Sequence, residues 1–155
     1  MQANGWTLLF HECLIEQLQK LHAAAQRAQA NTPDDFTGNA NVKLFQALSH
    51  LMLNVIPDDP GRDEYRQGNT LGTAHRHWRR AKIGRRFRLF FRYDSRTRVI
   101  IYAWINDAHT LRSAGSKSDP YRVFKAMLER GTPPDDWSDL WQASKSDWDS
   151  QQHPQ

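Results

Sequence analysis

Hydrophobic positions change period along the chain, and each change marks an element. Gly5 to His11, GWTLLFH, is a short apolar run rich in strand formers, which predicts the strand that opens a sheet. Leu14, Leu18, Leu21, Ala25 and Ala28 then recur at steps of four, three, four and three, the spacing of a helix with one buried face. Asn31 to Gly38 holds Pro33 and Gly38 and reads as a loop. Leu44, Phe45, Leu48, Leu51, Met52 and Val55 return to helical spacing, in a second helix that ends before Pro57. Ile56 to Gly68, with two prolines and two glycines, predicts a loop.

The middle of the chain turns to period two. Trp78 to Ile83, Phe87 to Tyr93 and Arg98 to Asn106 are three strand candidates, with turns at Gly84 and at Asp94-Ser95. In the second of them, alternation points Phe87, Leu89, Phe91 and Tyr93 one way and Arg86, Arg88, Phe90 and Arg92 the other. One face is thus core and the other basic with an aromatic inset. Val99 to Ile105, VIIYAWI, is apolar on both faces, which predicts a central strand. Asp119 is the expected cap of a last helix with Pro120 at its first position. Val123, Phe124, Met127 and Leu128 form its buried stripe, and Gly131 with Pro133-Pro134 ends it.

The order is strand, two helices, three antiparallel strands, one helix. It predicts an α+β domain with a twisted antiparallel sheet, two N-terminal helices and one C-terminal helix, the helices on one face and a basic groove on the other. Residues 1–137 are expected to form this domain. Residues 138–155 are expected to be an acidic, tryptophan-containing C-terminal tail whose start packs and whose end frays.

Composition sharpens the picture. A chain of 155 residues is the size of one domain. Its one cysteine, Cys13, excludes an intramolecular disulfide framework and any multi-cysteine metal site, and suits a small buried side chain better than a nucleophile. No apolar run approaches a membrane span, and MQANGWTLLFHE does not read as a signal peptide, so the cytoplasm is the expected compartment and no membrane partner is expected. Charge is segregated. His75 to Arg98 carries ten Lys or Arg and one acid, a local +9, which leaves −5 on the rest of a chain whose total is +4. Nine of those ten are arginine, whose planar fork suits phosphate and stacks on bases. Trp78, Phe87, Phe90, Phe91 and Tyr93 interleave with them, as in surfaces that bind single-stranded RNA. The bland alternative is a solvated basic face with no partner.

Several longer motifs then carry a resemblance. NGWTLLFH (Asn4 to His11), WRRAKIG (Trp78 to Gly84), RFRLFFRY (Arg86 to Tyr93), WINDAHTLR (Trp104 to Arg112), KSDPYRVFKAML (Lys117 to Leu128) and RGTPPDDW (Arg130 to Trp137) follow one another in the order of the YhaV family. The chain thus resembles that family of PrlF–YhaV toxin–antitoxin toxins, within the RelE superfamily of ribonucleases. The match spans nearly the whole chain, although the first helical pair matches in pattern alone. The resemblance implies a RelE-like fold and a metal-independent, cofactor-free endoribonuclease that cleaves mRNA, often in connection with ribosomes. It implies a PrlF-type, AbrB-like antitoxin that silences the toxin, and promoter DNA bound and repressed by the pair. The competing reading is a non-catalytic nucleic-acid-binding module of the same fold.

Metal-free RNA cleavage requires an activated 2′-OH, stabilised charge on the phosphoryl oxygens and a proton for the departing 5′-oxygen. Arg88 lies mid-strand on the non-core face, where the resemblance places the phosphate-clamping arginine. Lys82 would neighbour it across the Gly84 turn, and paired cations ease deprotonation of a lysine into a base; Arg80, on the same face, is the alternative. His109, Arg112, Lys117 and Tyr121 lie between the third strand and the last helix, where the other half of the site is expected. Tyr121 matches the final-helix tyrosine of RelE-like proteins, in a first turn whose N–H groups suit a phosphate. His109 titrates near neutrality, but the longer link here departs from RelE, and the family pattern does not insist on histidine. Lys82, Arg88, His109, Lys117 and Tyr121 are the catalytic candidates, and Arg79, Arg80, Arg85, Arg86, Phe90, Arg92 and Arg112 the RNA-binding candidates. Asp107 is placed to orient a basic residue of the site or to pair with Arg112. His75-x-His77 has ligand spacing, but with no carboxylate or third ligand close by it is set aside as a metal site.

Overall fold

The structure, a computed structural model, describes residues 1–31, 38–107, 110, 112–113 and 116–148. β1 (Gln2–Ala3) and β2 (Trp6–His11) form an opening hairpin. Asn4 and Gly5, both at positive φ, supply the tight turn that joins them. α1 (Glu12–Asn31) and α2 (Ala40–His50) follow; the Asn39 side chain caps α2 by accepting the N–H groups of Asn41 and Val42. The helical spacing read as far as Val55 continues past His50 as a π-helical turn, Leu51–Val55. β3 (Arg79–Ile83), β4 (Phe87–Asp94) and β5 (Val99–Ile105) come next, then α3 (Pro120–Glu129), α4 (Trp137–Gln142) and β6 (Ser144–Lys145).

The α+β class and the central place of β5 are as expected. Strands run in the order β1–β2–β5–β4–β3, with β6 paired to β2, and every residue of β5 is buried. Two expectations are corrected. The sheet is mixed rather than antiparallel, because β2 lies parallel to β5, from Thr7 opposite Val99 to Phe10 opposite Tyr102. The chain leaves β2 through α1 and α2, and the two hairpins that follow bring β5 back beside β2 in the same direction.

The second correction concerns the open basic groove. A strand apolar on both faces needs cover on both, and it has it. Leu8, Phe10, Phe91, Ile100 and Tyr102 pack beneath Leu14, Leu18, Leu48 and Met52 of the N-terminal helices. Leu9, Phe90, Ile101, Ala103 and Trp104 pack beneath Phe124 and Leu128 of α3 and Leu140 of α4. Helices therefore cover both faces, and arginines reach solvent at the sheet's ends and edge. The segment after α3 joins this packing. α4 adds Leu140 to the second core, and the Trp148 ring meets His22 at 5.5 Å and Phe45 at 5.7 Å. Among the described residues no helix is long and apolar enough to cross a membrane.

Candidate active site

The register of β3 against β4 sets the site. Arg80 pairs with Phe90 and Lys82 with Arg88, which puts these four on the α3 side of the sheet. The pairing of β4 with β5 shifts between Phe90 and Phe91: Phe90 faces Trp104, but Phe91 faces Tyr102. Ala103 is the extra residue of a bulge, a common device for re-aiming side chains beside a functional site. Just past it Asn106 is buried. Its Oδ1 accepts the Arg88 N–H at 2.7 Å, while its Nδ2 donates to the carbonyls of Arg86 (2.8 Å) and Thr110 (2.7 Å). Asn106 thereby fixes the backbone of Arg88 and the exit from β5.

Tyr121, in the first turn of α3, is the hub. Its hydroxyl oxygen accepts from Arg80 Nε at 2.8 Å and from Arg88 Nε at 3.3 Å. The ring sits edge-on to Phe90 at 5.6 Å, and the Arg112 guanidinium lies 4.7 Å from its centroid. Arg80 is held further by the Glu64 carbonyl (2.6 Å) and Arg88 by the Phe87 carbonyl (2.8 Å). Arg88 and Tyr121 are 7% and 5% exposed, so one guanidinium meets the phenol largely out of water, where charge is felt most strongly, while half-buried Arg80 reaches the same oxygen from the solvent side.

Arg112 is oriented from two sides. Its Nη1 lies 2.6 Å from Asp119 Oδ1, and its backbone exchanges bonds with Arg86, Arg112 N–H to the Arg86 carbonyl (2.9 Å) and Arg86 Nε to the Arg112 carbonyl (3.2 Å). Asp119 stands at the N-cap position as expected, but its carboxylate makes no capping bond; it takes Arg112 and the Ser113 N–H instead. Thr110 Oγ1 bonds Asp107.

Six of the expected residues thus come together: Arg80, Arg88, Arg112 and Tyr121, with Arg86 bonded to the Arg112 backbone and Phe90 against the Tyr121 ring. Lys82 stands across the strand pair from Arg88, exposed at the edge. Lys117 and Arg85 are exposed in turns with no recorded contact to this cluster, and His109 lies outside the described residues. Arg79 faces the N-terminal helices' side, 5.6 Å from the Tyr93 ring centroid. Phe90 is fully buried, stacked 4.3 Å from Phe124 and 6.0 Å from Trp104, so it has no open face for a base; the expectation of an RNA-stacking ring there is corrected. Arg92 sits between the rings of Trp78 (5.7 Å) and Trp137 (5.2 Å) and donates to the Asp135 carbonyl (2.6 Å). Burial lowers its affinity for the proton, against the opposing pull of Asp135 and Asp136.

Sequence reasoning missed Asn106 as an anchor, Asp119 as the partner of Arg112, and a carboxylate beside His75-x-His77. That last omission is also a correction: Asp135, from the link after α3, lies 2.9 Å from both imidazoles. Burial pushes the Asp135 carboxyl up, but hydrogen bonds from Trp78, His75 and His77 outweigh it and hold the carboxyl below its usual range. Cys13 shows no sign of a nucleophile, since burial, then Glu16 and Glu12, push its thiol up.

Comparison with known proteins places the chain in a family. The sequence model of a family described as toxins with endonuclease activity, of toxin–antitoxin systems, matches residues 8–145. Toxin YhaV of Escherichia coli O6:H1 is 38% identical over 146 residues, 93% of this chain and 95% of that protein. The ribonuclease toxin YhaV of Escherichia coli K12 is 38% identical over 141 residues, 90% of this chain and 92% of that protein. No solved structure matches the chain. A match running from Leu8 in β2 to Lys145 in β6 takes in every side chain around the Tyr121 hydroxyl, and the chain belongs to the YhaV family of toxin–antitoxin endonuclease toxins.

Proposed function

We propose that this chain is a metal-independent endoribonuclease that cleaves mRNA by attack of the 2′-OH on the adjacent phosphorus. The observation that carries the reading is the meeting of Arg80 and Arg88 on one buried phenol oxygen. Both recorded bonds use that oxygen as acceptor, which leaves the Tyr121 hydroxyl proton to be donated. Arg88 and Arg80 hold the scissile phosphate and stabilise the charge that grows on its oxygens. Tyr121 passes its hydroxyl proton to the departing 5′-oxygen, which leaves as a hydroxyl. Lys82, across the strand pair from Arg88, is the candidate base for the 2′-OH, with Arg112 on the ribose-phosphate chain and Lys117 at the approach. The products are a 2′,3′-cyclic phosphate and a 5′-OH. A strand lacking the 2′-OH is not cut.

The remainder of the reading rests on the resemblance to PrlF–YhaV systems. An AbrB-like antitoxin of the PrlF type binds and silences the toxin in the cytoplasm, an acidic or apolar segment covering the arginine-rich edge, and the pair represses its own promoter. The relative from strain K12 is named a ribonuclease toxin, which supports RNA as the substrate here. Purified protein should cleave single-stranded RNA in EDTA, and Arg88→Ala should reduce the single-turnover rate far more than RNA affinity. If binding and cleavage fall together, with the rate per bound complex unchanged, Arg88 is a binding residue and the clamp assignment fails. If no cleavage is seen while RNA is bound tightly, the non-catalytic module is the correct reading.

A further inference from the structure

A second cluster of chemistry-bearing side chains lies apart from the Tyr121 contacts. Asp135 Oδ1 is 2.9 Å from His75 Nδ1, 2.9 Å from His77 Nε2 and 2.8 Å from Trp78 Nε1. Three donors thus crowd one carboxylate oxygen, which offers about two lone pairs. The candidate ligand atoms of His75, His77 and Asp135 all lie within 4.8 Å of one another. Around a dication held at about 2.0–2.1 Å from each ligand, neighbouring ligand atoms stand roughly 3 to 3.5 Å apart. The two His–Asp separations are already close to that spacing. Replacing the two imidazole protons with one cation satisfies the same three atoms and leaves Trp78 its bond.

We propose that His75, His77 and Asp135 bind a first-row transition dication of the zinc class. Two imidazoles and one carboxylate suit such an ion, whereas magnesium and calcium favour oxygen donors throughout. The surroundings are those of a built site. Trp78 N–H steadies the Asp135 carboxylate, and Arg92 Nη1 holds the Asp135 main-chain carbonyl at 2.6 Å. Gln67, itself 4% exposed, holds the His75 carbonyl with its Nε2 at 2.9 Å. Supports of this kind orient ligands in metal sites. The side chains of His75, His77 and Asp135 are 15%, 36% and 37% exposed, so an ion has a path from solvent. Among the described residues no fourth His, Cys, Asp or Glu joins the group, and the remaining position falls to water.

The ion would staple the entry to β3 to the link between α3 and α4, segments 60 residues apart in the chain. Its role is structural. Trp78 packs edge-on to Phe124 at 5.0 Å, and Phe124 stacks on Phe90, the ring that meets Tyr121. The three ligands bond none of Arg80, Arg88 and Tyr121, and these rings pack without the ion, so cleavage continues in EDTA and the metal site and the ribonuclease reading stand or fall separately.

The test is titration of metal-free full-length protein with Co²⁺, followed by its ligand-field absorption and by displacement with Zn²⁺. One equivalent should bind, and Zn²⁺ should raise the thermal midpoint. His77→Ala and Asp135→Asn should each weaken Co²⁺ binding at least tenfold and abolish the Zn²⁺-dependent rise. Asp135→Asn keeps an oxygen for the Trp78 N–H, so lost binding with an unchanged circular dichroism spectrum is lost ligation. Should either variant unfold, the other still decides. Equal Co²⁺ binding by wild type and variants, or none by the wild type, overturns the proposal.

Discussion

At the scale of the residue, the fork of Arg88 matters as much as its charge. The side chain is almost fully buried and gives Nε to Tyr121 and Nη1 to the Phe87 carbonyl, so its plane is set before any substrate arrives. Lysine keeps the charge but is a point donor that cannot span the same acceptors. Arg88→Lys should therefore keep RNA affinity within a few-fold while the single-turnover rate falls ~10²-fold, as when one pre-organised donor is removed from a site of developing charge. A rate close to wild type would show that charge alone suffices. Arg88 and Tyr121 stood out as candidates because each matches a residue of the resembled family, one mid-strand among arginines and the other in the first turn of a proline-started helix. Phe90 misled because strand alternation separates two faces without saying which is covered. Asp135 was invisible beside His75-x-His77, since only folding brings that link to the strand's entry.

At the scale of the element, period and punctuation revealed the strands and long helices, but direction and pairing did not follow from them. β2 alternates as well for a parallel neighbour as for an antiparallel one, and its partner β5 lies about ninety residues on. α4 was hidden by its brevity, six residues after two prolines. α3 was legible, and what it does for the site can be measured. Phe124 is fully buried against Phe90, Trp104 and Trp78, and it anchors the helix that carries Tyr121. Phe124→Ala should cost ~3–5 kcal/mol in urea unfolding. Cleavage per folded molecule should also fall, because Tyr121 loses its seat on the sheet. A cost under about 1 kcal/mol would mean that the stacked rings do not hold α3 in place.

At the scale of the whole molecule, segregated charge works through position. A basic groove on one face of the sheet was expected, but the fold divides the ten basic residues of the middle segment between the sheet's two ends and its edge. Arg80, Lys82, Arg88 and the Arg85–Arg86 turn lie toward one end of the sheet, near Tyr121. Arg96 lies in the turn between β4 and β5 at the other end, where Arg98 is held over Trp6 with its guanidinium 4.7 Å from the ring. RNA held in the Tyr121 site should sense the first group and not the second. Each phosphate neutralised on a single strand contributes about 0.7 to the slope of log affinity against log salt. Arg85→Ala, an exposed change outside the hydrogen-bonded cluster, should lower that slope by about 0.7, and Arg96→Ala should leave it unchanged. Both arginines are solvated and sit in turns, so stability is nearly untouched and the slope reads geometry rather than folding. Equal reductions from the two would mean that RNA runs along the whole length of β4 and that Tyr121 marks one point on a longer track. A reduction confined to Arg96→Ala would move the strand to the opposite end of the sheet and separate bound RNA from the arginine–tyrosine cluster altogether.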